Sequence, residues 1–180
     1  MHHLRWVMEN SVLSFILGVL SSLFVWWIIT HFFSPKIYFN EKILTGLDSK
    51  HGEKKQIYLA NFWNANSRAI IDIDVFAYIE IKNRELDEAG QNLYLDTSVN
   101  KIPKISGRTS TGISIDFSKL HQAFDSHMYA SDSSELELLR KAMSDSRFVG
   151  FYIVIFGFDE FSGARKMFTS KAYGFDSFQI

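Results

Sequence analysis

Cysteine is absent from this 180-residue chain and proline occurs only twice. Without a thiol there is no disulfide scaffold, thiolate zinc site, iron–sulfur cluster or cysteine nucleophile. Scarce proline, with 47% hydrophobic and 16% aromatic residues, excludes general disorder, because such a chain has ample apolar surface to bury. An excess of charge of one sign is also lacking. The formal net charge is -1, so no global basic field recruits a nucleic acid duplex. The chain carries no GxxxxGK[ST] loop to cradle phosphates, no GxGxxG and no HExxH. It has no Asn-x-Ser/Thr acceptor either, which fits a domain outside the secretory space. With no enzymatic signature and no implied cofactor or metal, the expectation is a non-enzymatic protein.

The apolar residues are unevenly spread. Ser11 to Phe33 reads SVLSFILGVLSSLFVWWIITHFF without one charged side chain. About 20 such residues cross the ~30 Å hydrocarbon core as a helix, the one single-segment structure that bonds all its own backbone groups. A cleaved signal peptide has a shorter apolar region of about 7–15 residues and a small-x-small cleavage site. This segment instead ends in Trp26, Trp27, Phe32 and Phe33, and Trp26, Trp27 and Lys36 suit a membrane–water interface. A retained single-pass anchor in a cell inner membrane is therefore expected. Lys36, Lys42, Lys50, Lys54 and Lys55 follow the helix while Arg5 precedes it, so the C-terminal domain is expected to be cytoplasmic. Ser14, Gly18 and Ser22 recur every four residues, a register that lets two helices approach closely. Membrane lipid and a second copy of the chain are thus the expected partners.

After Ser34-Pro35, which stops the helix, period two dominates. The expected layout is a short tail over 1–10, the membrane helix over 11–33, a juxtamembrane strand and loop over 34–54, and a β-sandwich over 55–180. Arg68 to Lys82 alternates, with Ile71, Ile73, Val75, Ala77, Ile79 and Ile81 on one face and Asp72, Asp74, Phe76, Tyr78 and Glu80 on the other. Lys55–Trp63, Leu93–Val99 and Gly112–Phe117 read as shorter strands, and Thr45–Lys55 as a loop. Phe148–Phe158 is apolar on both faces and therefore central. The turn Asp159–Gly163 then leads into Ala164–Tyr173, which alternates as a strand nearer an edge. Ser131–Asp145 reads as a helix, with Ser134 and Glu137 at capping-box spacing and Leu136, Leu139 and Met143 on one face. The fold class is mainly β: one N-terminal transmembrane helix, then an immunoglobulin-like antiparallel sandwich with a helical insertion.

The order of these parts resembles the cytoplasmic immunoglobulin-like domain that follows the inner helix of inward-rectifier potassium channels. The shared features are a membrane helix, a strand ending at Asn61, the long alternating strand Ile70–Ile81, a crossover with a helix, Phe148–Phe158, a turn, and Ala164-Arg165 with Ser170 and Tyr173. The resemblance implies a cytoplasmic sandwich that oligomerises and passes a signal to a membrane helix. It implies no potassium selectivity, because the chain has one membrane helix and no Thr-x-Gly-Tyr-Gly filter. Asn61, Ser67-Arg68 and Phe161-Ser162-Gly163-Ala164-Arg165-Lys166 are also similar to a group of bacterial single-pass proteins, which adds no biochemical role.

Two kinds of side-chain group invite chemistry. Arg68, Arg165, Lys166 and Lys171, with Lys82 or Arg84, would form an anionic-ligand site if they clustered, for a phosphate-bearing small molecule or lipid headgroup. Asp72 and Asp74 share a strand face, as in a solvated surface or a subunit contact more than in an acid–base pair. His121 and His127, six apart, and His2-His3 are poorly spaced for metal. The expected function is an oligomeric sensor-effector: a cytoplasmic β-sandwich that senses a ligand or partner and acts on packed membrane helices, in a pore-forming or membrane-disrupting, defence-like role. The alternative is a membrane-anchored interaction module that docks a cytoplasmic protein.

Overall fold

The computed structural model describes residues 2–32, 34–48, 55–82, 90–118, 120 and 135–179. The chain separates into two compact units, 1–34 and 35–180. The first is one helix, α1 (His2–Phe32), which takes in most of the expected tail. Its Ser11–Thr30 stretch is long and apolar enough to cross a membrane, and none of it is buried. Two of its hydroxyls are satisfied within the helix. Ser22 Oγ donates to the Gly18 carbonyl at 2.9 Å, and Thr30 Oγ1 to those of Trp26 and Trp27 at 2.9 and 3.0 Å.

The second unit is mainly β. Its strands are β1 (Ile37–Asp48), β2 (Lys55–Asn64), β3 (Ile70–Lys82), β4 (Gly90–Thr97), β5 (Lys101–Ile105), β6 (Ser110–Asp116), β7 (Phe148–Asp159), β8 (Arg165–Thr169) and β9 (Phe178–Gln179), with a short helix α2 (Glu135–Ser144) before β7. They form one curled, mixed sheet in the order β8-β7-β3-β4-β6-β2-β1-β9, with β5 also on β3. Every pairing is antiparallel except β1 with β9. β4 joins the two halves, pairing β3 through residues 90–95 and β6 through Asp96 and Thr97.

The curl encloses one core. Tyr58 and Phe62 of β2, Ile73, Val75, Ala77 and Ile79 of β3, Ile113 and Ile115 of β6, and Phe151, Ile153 and Ile155 of β7 meet there with Phe117 and Phe178. Phe117 sits edge-on to both Tyr58 and Phe151, the arrangement that ring quadrupoles favour. Leu138, Leu139 and Ala142 of α2 are buried, while Met143 is only partly so. Ser134 and the side chain of Leu136 lie outside the described residues.

The β7–β8 hairpin stands as its sequence suggests, with β7 central and β8 at the sheet edge. β8 is shorter than the alternating run, and Tyr173 returns only as a single bridge to Phe151. The expected loop at Thr45–Lys55 is strand at both ends, because Thr45–Asp48 pairs residue by residue with Lys55–Tyr58. In β3 the alternation breaks. A bulge between Ile71 and Asp74, with Asp72 at φ 49, turns Ile70 inward and leaves Ile71 half-buried. Gly157 of β7 faces this bulge, where a Cβ would strike Ile70 Cγ2.

Candidate functional site

The start of β1 pairs with the end of β2, Ile37 opposite Asn64. Three turns gather at that end of the domain: 65–69 between β2 and β3, 106–109 between β5 and β6, and 160–164 between β7 and β8. Backbone bonds lace them together. Ala65 N donates to Lys36 O at 2.9 Å, Asn64 N to Thr109 O at 2.9 Å, Arg108 N to Asn66 O at 3.1 Å and Glu160 N to Ala69 O at 3.2 Å.

Asn64 is the fully buried hub. Its Nδ2 donates to the Arg68 carbonyl at 2.6 Å and the Ser106 carbonyl at 3.4 Å, while its Oδ1 accepts from Asn66 N at 3.3 Å. Gly107 lets the turns close, since a Cβ there would fall on the Ser67 carbonyl.

On this frame Arg68 is held between two groups. Its Nη1 lies 3.4 Å from Asp159 Oδ2, and its Cζ lies 4.3 Å above the Phe161 ring. Asp159 is buried and also accepts from Ser162 Oγ at 2.7 Å and Phe161 N at 3.1 Å. Burial pushes its carboxyl up, but the Ser162 hydroxyl, the Phe161 amide and the Arg68 guanidinium together outweigh that and hold it below the usual range. Phe161 itself is 70% exposed at the hairpin tip. Beside it Lys104 Nζ pairs with Glu160 Oε1 at 2.6 Å, and a hollow of about 480 Å³ opens between Phe161, Arg68, Lys104 and Gly107.

Arg165, opposite Phe158, lies at this end with its guanidinium 5.2 Å from the Phe156 ring, and Lys166 follows opposite Gly157. Lys36 lies there as well, next to Ile37. Lys171 does not join them. β8 ends where Ser170, bonded to Ile153 through both N and Oγ, turns the chain toward β1, and Lys171 Nζ comes to 3.4 Å from Glu41 Oε1. That pair borders a separate cleft of about 790 Å³. Tyr173 Oη braces the cleft by donating to the Asn40 carbonyl at 2.7 Å, and burial pushes its phenol up to about 12. The four expected cations therefore do not form one pocket. Lys82 sits at the far end of β3, and Arg84 lies outside the described residues, as do His121 and His127.

Asp72 is exposed at the bulge, and Asp74 pairs with Lys101 at 3.9 Å. Among the described residues no group of three His, Asp or Glu is placed to hold a metal. On the outer face of β7, β3 and β4 an aromatic grid forms: Tyr78 stacks on Tyr152 at 5.4 Å, and Phe76 contacts Phe156 at 5.8 Å and Tyr94 at 6.4 Å. Ser14, Gly18 and Ser22 lie on α1 with open space around Gly18, and Trp26 and Trp27 close its apolar stretch. Asn64, Lys104 and Arg108 are not among the site residues expected from the sequence, and Phe161 enters there only as part of the Phe161–Lys166 run. The available signal was an aromatic residue inside an otherwise polar turn, Asp159-Glu160-Phe161-Ser162-Gly163.

Fold and site define a mainly β domain preceded by one apolar helix, with a basic, aromatic-tipped end. No family model matches the chain, and no curated protein matches it in sequence.

Proposed function

We propose that the chain is a non-enzymatic, single-pass membrane protein whose cytoplasmic β-domain receives a ligand or partner and acts through self-associated helices. The observation that carries this reading is α1, with Ser11–Thr30 apolar and none of it buried, a surface water does not tolerate at this length. Gly18 and Ser22 support association, since the Ser22 hydroxyl is satisfied within its own helix and the Gly18 surface is open for close approach. The order of parts shared with the inward-rectifier cytoplasmic domain supports an oligomeric arrangement. The cleft beside Lys171 and the hollow beside Arg68 offer places for an anionic small molecule.

Alkaline extraction of membranes followed by detergent mass measurement tests it. The chain is expected to stay with the membrane and to migrate as an oligomer that Gly18→Leu dissociates. Release into the soluble fraction overturns the anchor, and a monomeric wild type overturns the sensor-effector. The second reading, an anchored interaction module, is favoured by the outer aromatic grid. It predicts a co-purifying cytoplasmic protein lost in Tyr78→Glu, and no liposome leakage.

A further inference from the structure

The Pro35 end of the β-domain has a composition unlike a solvated loop cluster. Phe161 projects from the β7–β8 turn with 70% of its surface exposed, and Tyr38 and Trp63, stacked 5.7 Å apart, are 49% and 42% exposed. Arg68 and Lys104 line the hollow beside Phe161, Lys36, Arg108, Arg165 and Lys166 lie in the strand ends and turns at the same end of the domain, and Tyr38 and Trp63 border the neighbouring cleft. The carboxylates of Asp159 and Glu160 are already engaged within the cluster, by Arg68 and Lys104. Glu41, paired with Lys171, and Asp176 line the cleft that Tyr38 and Trp63 border, while Asp72 and Asp74 lie further back along β3, and Asp74 is paired with Lys101. An exposed ring at a rigid hairpin tip inside a cationic collar fits a surface that is anionic outside and apolar just beneath. Tyr and Trp suit the same boundary.

We infer that this end of the domain is a contact surface for anionic lipid headgroups, with Phe161 entering the acyl boundary and the collar binding phosphates. The inference rests on the membrane-anchor reading of α1. Lys36 is four residues past Phe32, about 14 Å at full extension. With α1 inserted, that short link keeps Lys36 itself close to the headgroup layer. The shallow hollow beside Arg68, with its cation held over the Phe161 ring, adds a place for one phosphate.

The cysteine-free chain allows a direct test with single reporters. Nitroxides are placed at Phe161→Cys, at the neighbouring exposed Ala164→Cys, and at Lys82→Cys on the far end of β3. The full chain is reconstituted in phosphatidylcholine vesicles with or without phosphatidylglycerol. Collisions with oxygen, which partitions into lipid, are compared with those of a water-soluble nickel chelate. With phosphatidylglycerol the label at 161 is expected to favour oxygen and the label at 82 the chelate. The difference is expected to collapse in Arg108→Glu/Arg165→Glu. It is also expected to shrink between 0.1 and 1 M salt, as the screening length falls from about 10 to about 3 Å. The label at 164 carries the same comparison if the 161 variant does not fold. Labels at 161 and 164 as open to the chelate as the one at 82, in a chain that resists alkaline extraction, overturn the lipid surface and leave the anchor standing. A chain stripped from the vesicles by alkali overturns both.

Discussion

Replacing Asn64 by Ala removes the hub that ties the three turns together. Its bond from Nδ2 to the Arg68 carbonyl is short, 2.6 Å, whereas those to Ser106 O and from Asn66 N are long, at 3.4 and 3.3 Å. Ser106 O keeps a donor in Thr109 Oγ1 at 2.7 Å, so the short bond to the Arg68 carbonyl is the chief loss. Removing one partner of a buried bond costs about 1–3 kcal/mol, and the weaker contacts add a fraction of one bond, giving about 2–3 kcal/mol in all. At about 2–4 °C per kcal/mol for a chain of this size, Tm falls by about 4–12 °C. Thermal melting of the full chain in mild detergent, followed in the near-ultraviolet signal of the aromatic core, measures this. Asn64→Asp sharpens the test. Its carboxylate would point an oxygen at the Arg68 carbonyl, so the folded-state pKa rises above the unfolded one. The neutral acid can still donate, so the variant regains stability toward acid and loses it as pH climbs through the folded pKa. An Asn64→Ala melt within about 2 °C of wild type, where a shift of several degrees is expected, refutes the hub reasoning. So does an Asn64→Asp variant with no recovery in acid.

Gly107→Ala forces the Ser67 carbonyl aside and is expected to cost about 1–3 kcal/mol, read as a lower denaturant midpoint with an unchanged slope. Leu139→Ala opens the core between α2 and β7 and is expected to cost about 2–5 kcal/mol in the same titration. For Asp159 the folded pKa is depressed, so its stabilisation is present above the unfolded carboxylate pKa and is lost as pH falls through the folded value. Asp159→Asn should therefore melt lower than wild type at neutral pH, and its Tm should fall less steeply toward acid.

The parts of the fold that were legible were those whose pattern depends on one element and its immediate neighbour. β7 reads as central from its apolar run alone, and the hairpin from the turn that follows. The register of β3 did not read through, because its bulge at Asp72 depends on what lies across from it. The register slips against β7, where Gly157 leaves room for Ile70, while the pairing with β5 runs on unbroken from Ile70 to Asp74. β5 was itself hidden, because a proline in a five-residue run argues against a strand. The cation cluster failed at one member for a similar reason. Lys171 continues the alternation of β8 in sequence, but Ser170 caps the ladder against Ile153 and sends the chain to β1.

The location of the basic end was nevertheless implicit in the strand order. In an antiparallel chain alternate connections fall on the same side. β4 and β5 both run antiparallel to β3, so they count as one interrupted strand. Starting from β1, the turns after β2, β5 and β7 must then all return to the side where β1 begins. That rule brings Arg68, Lys104, Arg108, Phe161 and Arg165 beside Lys36 without reference to any side-chain contact. What it does not supply is the order within the cluster. Asp159 and Glu160 pair with Arg68 and Lys104 because the hairpin turn folds back on its own carboxylate, through Ser162 and the Phe161 amide. That local closure leaves Phe161 outermost, on a tip whose charge is balanced beneath it and cationic around it, and this is why the aromatic ring and not a salt bridge meets whatever the domain faces.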